Sequence, residues 1–172
     1  MVIVNNQSSS VRVQVAVPLL ETRSLASEGP VADSSDTNPY TLVSNLARQL
    51  SAAAVRAQDR DATLDPQALS QKATQALSEL SSSTADSHAF KGMPRDQLAL
   101  ITYDEGGEFS VGERASAWQE AAEQEQLWRS SAKTRALSEY NATGNMSGFV
   151  SEALTHFKSL PAIEQAQYPA GY

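Results

Sequence analysis

One short segment, Thr102-Tyr-Asp-Glu-Gly-Gly-Glu-Phe-Ser-Val-Gly-Glu113, is rich in oxygen-bearing side chains, among them Asp104, Glu108, Ser110 and Glu113. Carboxylate and hydroxyl oxygens gathered by a tight turn are what a hard cation such as Ca²⁺ takes as ligands. Gly106-Gly107 supplies the turn, because glycine adopts positive φ without the clash of a Cβ. A second set is acidic: Glu120, Glu123 and Glu125 lie beside Trp118 and Trp128. Carboxylates along one helix ordinarily form a solvated face. An exposed tryptophan, by contrast, marks a contact surface. Trp118 and Trp128 are therefore the candidate partner-binding residues.

The 102–113 segment resembles the calcium-binding loop of the EF-hand family. With Glu113 at loop position 12, Gly107 falls at position 6, Phe109 at the apolar position 8 and Ser110 at position 9. Asp104 falls at position 3, and helices are expected on both sides. The resemblance covers about 36 residues and implies Asp104, Glu108, Ser110 and Glu113 as metal ligands. The chain departs from the pattern at position 1, where Thr102 stands for a carboxylate, and at position 5, where Gly106 has no side chain. Charged ligands fall to Asp104 and Glu113. Affinity follows ligand charge and number, so the resemblance implies weak Ca²⁺ binding at best. Ser110 and Glu113 have a second use, since a serine three residues before a glutamate is a helix capping box. No second loop of this kind occurs; Asp59-Arg-Asp61 with Asp65 is carboxylate-rich but lacks the glycine and the closing glutamate.

Other chemistry is thinly represented. His88 and His156 are the only histidines and have no zinc-site spacing. There is no cysteine, which excludes thiolate metal sites, disulfides and cysteine nucleophiles. Ser147 in Gly144-Asn-Met-Ser-Gly148 is one place too late for a nucleophile elbow. No phosphate-binding glycine motif occurs. The reading is no catalytic residue, no cofactor-binding residue and no enzyme. An enzyme of another type would need a fold that brings His156 to a carboxylate.

The elements that must position these groups read as helices. Asn38 before Pro39, and Asp65 before Pro66, are caps with proline at the first helical position. Leu42, Val43, Leu46 and Leu50 recur at helical spacing in the first helix, which is expected to fade near Gln58. Leu69, Ala73, Ala76, Leu77 and Leu80 do so in the second. Their short connection suggests an antiparallel hairpin. A third helix begins near Pro94. A fourth runs from the Ser110 cap to about Tyr140, with Gly144 as its stop. Its apolar spacing drifts past Ala122, so it must bend or change the face it buries. A fifth spans about Ser147–Ser159 before Leu160-Pro161. The expected fold is all-α, a bundle of four to five helices over residues 39–172. Its expected core is Leu42, Leu46, Leu50, Leu69, Leu77, Leu98, Ile101, Trp118, Phe149, Leu154 and Phe157.

Residues 1–38 are expected to form a flexible, disordered leader. Val11–Val17 alternates like a strand, but no partner strand follows. Glu21 is the first acidic residue, Ile3 and Val4 are aliphatic, and Ser8–Ser10 follow. This start resembles the uncleaved amino-terminal signals of bacterial type III secreted proteins. The chain carries 13 basic and 20 acidic residues, a net charge of −7. Repulsion from phosphate backbones argues against nucleic-acid binding. The apolar runs are too short to span a membrane, and no cleavable secretion signal is present. The expected location is the cytoplasm, or outside after export without cleavage. Three functions follow. The first is a non-enzymatic bacterial interaction protein with an unknown protein partner, exported by a type III route as an effector or accessory. The second is a calcium-responsive regulator, and the third is an uncharacterised structural helical protein.

Overall fold

The computed structural model describes residues 39–169. The expected leader, its Val11–Val17 segment and the Asn38 cap lie outside the described residues. Six helices and no strand occur among them: α1 Pro39–Thr63, α2 Pro66–Leu80, α3 Arg95–Thr102, α4 Val111–Thr143, α5 Ser147–Ser159 and the single turn α6 Ala162–Gln165. The fold is therefore all-α.

Local chemistry sets most of the boundaries. The Asp65 carboxylate accepts from the Ala68 backbone N–H and starts α2, with Pro66 inside. Ser110 and Glu113 form the expected capping box at the head of α4. Gly144 ends α4 in the left-handed region, at φ +74°, which removes the Cβ clash other residues would meet there. α1 runs to Thr63, five residues past the expected fade at Gln58. Asp59-Arg-Asp61 is thus helical. Arg60 is held there by the Asp61 carboxylate at 2.8 Å and by the Tyr103 carbonyl.

α3 is the centre of the packing. Its Leu98 and Ile101 join Ala53 of α1, Phe109, and Ala117 and Ala121 of α4 in one apolar cluster. On its other side, Ala99 and the following Tyr103 meet Leu69 and Ala73 of α2 and Ile163 of α6. α1 packs mainly on α3, and α2 on α6 and α4. α1 and α2 do not pack on each other as the expected hairpin.

Three expected core residues lie outside. Leu42 is 55% exposed, Trp118 39% and Leu154 43%. Leu42 precedes the part of α1 that reaches the core, where Leu46, Leu50 and Ala53 make the contacts. Phe149 and Phe157 are half-buried. α4 explains the drift in its own spacing. Its first half buries Ala117 and Ala121 against α3, and its second half buries Ala132 and Ala136. Fifteen residues separate Ala117 from Ala132, which rotates the buried face by about 60° at ~3.6 residues per turn. The second half faces α5, so α4 changes partner along its length. None of the described helices is long and apolar enough to cross a membrane.

Candidate functional site

The 102–113 loop is built around a guanidinium. Arg56, projecting from α1, donates to Asp104 Oδ1 from Nη2 at 2.6 Å and from Nε at 3.2 Å. The Asp104 side chain is fully buried. Its carboxylate also accepts the backbone N–H of Gly106 at 3.2 Å and of Glu108 at 2.9 Å. Burial pushes this carboxyl up, but the hydrogen bonds and charge of Arg56 outweigh it and hold Asp104 below the usual range. The guanidinium lies so close over Gly106 that a Cβ there would overlap it. This explains why position 5 of the loop has no side chain. Gly107 has φ +74°, the positive value its place in the loop implied.

The other expected ligands are turned to different partners. The Glu113 carboxylate accepts from the Ser110 backbone N–H at 2.8 Å and hydroxyl at 2.6 Å. The Glu108 carboxylate stands 3.8 Å from Arg56, and its carbonyl accepts from Gln49. The fold brings Asp104 and Glu108 to Arg56, and Ser110 to Glu113, as two separate pairs. As folded, these donors do not fit a cation, because a positive charge already sits against the buried carboxylate. Among the described residues no group of three or more histidine, aspartate or glutamate side chains is placed to hold a metal ion.

The helix 4 glutamates do not form a common solvated face. Glu120 is buried and accepts from the Gly92 backbone N–H at 3.0 Å and from Gln124 at 2.8 Å. The Gly92 bond is the main cause that lowers its carboxyl. It fastens the connection between α2 and α3 to α4. Glu123 is exposed. Glu125 turns toward α5, where its Oε2 lies 2.9 Å from His156 Nε2, and it also receives Arg129 at 2.8 Å. Burial works against this carboxylate, yet His156 and Arg129 hold it below the usual range.

Trp128 stacks flat on the His156 ring, with centroids 3.6 Å apart and planes 10° apart. Trp128 is therefore committed to the α4–α5 contact. Trp118 instead lines a cleft of about 580 Å³ with Arg95, Tyr103, Glu125 and Glu164. Arg95 donates to Glu164 at 2.9 Å and to the Ala121 carbonyl at 2.8 Å. Burial is the main reason the Glu164 carboxyl is raised and the Tyr103 hydroxyl is pushed up to about 12. These bonds join α3, α4 and α6. His88 is exposed.

A second groove, of about 420 Å³, runs between α4 and α5. Trp128, Ala132, Ala136, Phe149, Ala153 and Phe157 line it, with Arg129 and Lys133 also on the α4 side. Sequence periodicity placed Phe149 and Phe157 in a closed core and did not signal this groove. The excess of alanine on facing positions was the available sign. Arg56 and Glu164 were likewise missed, since each finds its partner far along the chain.

No protein-family model matches this chain, and no curated protein or solved structure matches it.

Proposed function

We propose that the chain is a non-enzymatic bacterial interaction protein that binds a protein partner through the α4–α5 arm. One observation carries the reading: large apolar side chains stand in solvent along this arm, with Met146 45% and Val150 61% exposed beside Leu154 and Tyr140. α5 buries no residue fully, and its main neighbour is α4. Two helices with half-covered apolar stripes commonly pack against further helices. The test is affinity capture from the native lysate with the intact chain and with Leu154→Glu. A protein retained by the first and lost from the second supports the reading, and identical capture by both overturns it.

We extend the proposal to export by a type III route, as an effector or accessory. Support comes from the composition of residues 1–20, which lack acidic residues and carry Ser8–Ser10. Deleting residues 2–30 should abolish secretion from a type III-competent strain. Unchanged secretion removes the export half and leaves the binding half standing.

A further inference from the structure

We infer that α5 is a strap poised to lift from α4, a conformational device that uncovers Ala132 and Ala136 while the body built around α3 stays folded. The inference goes beyond the interaction reading and does not need it.

The seam between the two helices fixes alignment more than it buries apolar surface. Along α4 it runs through Glu125, Trp128, Ala132, Arg135 and Glu139, at alternating steps of three and four. A tightly held helix pair fills such positions with large aliphatic side chains, and polar groups there set register at a cost in stability. Here the buried members on α4 are Ala132 and Ala136, both small, and α5 buries no residue fully. α3, by contrast, buries Leu98 and Ile101 completely.

Polar clasps stand where apolar contact is thin. The Glu139 carboxylate accepts the backbone N–H groups of Gly148 at 2.8 Å and of Phe149 at 3.0 Å. It thereby caps α5, because Met146 at the N-cap position makes no side-chain cap bond. Arg135 pairs with Glu152 farther along, and water reaches both side chains, so salt competes for the pair. His156 ends the row on Glu125 and Trp128.

The two ends of the strap differ. At the C-terminal end Phe157 meets Tyr168 edge-on and Leu160 is buried, which anchors it to the body. At the N-terminal end it follows Gly144, and α4 buries no residue fully between Ala136 and that glycine. The last turns of α4 can thus open together with α5 as far as the Phe157 anchor. Few buried apolar contacts and exposed polar ones mark a unit that opens without global unfolding.

The test is amide hydrogen exchange on the full chain, resolved by residue, under native conditions with rising urea. Protection factors at residues 151–156 should be about a hundredfold or more below those of Ile101 and Ala121. They should also depend little on urea, because the opening exposes little surface. Arg135→Ala and Glu139→Ala should each lower protection in α5 about threefold to tenfold and leave Ile101 and Ala121 as they were. Alanine is the best helix former, so such loosening comes from the lost clasp and not from a weakened α4. Salt near ~1 M should act in the same direction on the intact chain. One shared protection level across α5, Ile101 and Ala121 overturns the strap, because α5 then opens only with the whole chain. Low protection in α5 that neither variant nor salt alters also overturns it, since the clasps then hold nothing.

Discussion

Arg56 and Asp104, 48 residues apart, form a charge-assisted hydrogen bond of 2.6 Å that ties α1 to the loop before α4. The carboxylate is fully buried and also anchors two backbone N–H groups, so three structural roles converge on one side chain. Asp104→Ala leaves the guanidinium only the more distant Glu108 carboxylate, at 3.8 Å, and leaves both N–H groups unpaired. The expected cost is about 2–4 kcal/mol, read as a lower urea midpoint with an unchanged m value.

Gly106 and Arg56 act as one unit. A methyl group at 106 displaces the guanidinium, which can swing to solvent only by leaving Asp104. Gly106→Ala and Arg56→Ala are therefore each expected to cost about 1–3 kcal/mol, and the double variant no more than the worse single. Additive costs in the double-mutant cycle contradict this coupling.

Acid sensitivity has opposing contributions. Asp104 and Glu125 are held low in the fold, so the stability they contribute is present above their unfolded values and is lost as pH falls through the lowered ones. Glu164 is raised, so its contribution is fully present below the unfolded value and is lost as pH rises toward the folded one. Urea midpoints measured between about pH 3 and pH 6 should rise with pH. Asp104→Asn should make that rise shallower, and Glu164→Gln should make it steeper.

Thr102 Oγ1 is buried with no hydrogen-bond partner. A hydroxyl taken from water without compensation is unfavourable. Thr102→Val keeps the shape and removes the hydroxyl, so it should leave stability unchanged or raise it by about 0.5–1 kcal/mol. A clear loss in thermal melting temperature argues that the hydroxyl has a use.

Calcium titration separates the loop from the family it resembles. With Arg56 against Asp104, and Glu113 turned to Ser110, calorimetry at millimolar Ca²⁺ (the order of the weakest natural sites) should show no binding heat. Heat that appears in the intact chain and vanishes in Glu113→Gln establishes the calcium-responsive function instead.

The sequence disclosed what depends on neighbours along the chain. Asp65-Pro66, Ser110 with Glu113, and Gly144 mark helix ends through hydrogen bonds spanning four residues or fewer, so those three boundaries could be read directly, whereas the end of α1, which has no such signal, falls five residues past the expected place. Leu98, Ile101 and Leu69 announced themselves as core by spacing alone, and all three are buried. Spacing misplaced Leu42 and Leu154, because a stripe says which face is apolar and not whether a neighbour covers it.

By itself, then, the order of residues determined helices, caps and the all-α class, since these rest on backbone geometry and local side-chain reach. Only the tertiary structure decided that Arg56 meets Asp104, that Glu125 meets His156, and that α4 exchanges α3 for α5 midway along its length. Those pairings join residues 31 to 48 positions apart. They are selected by how much apolar surface each helix buries against each alternative partner, a comparison that no local pattern contains.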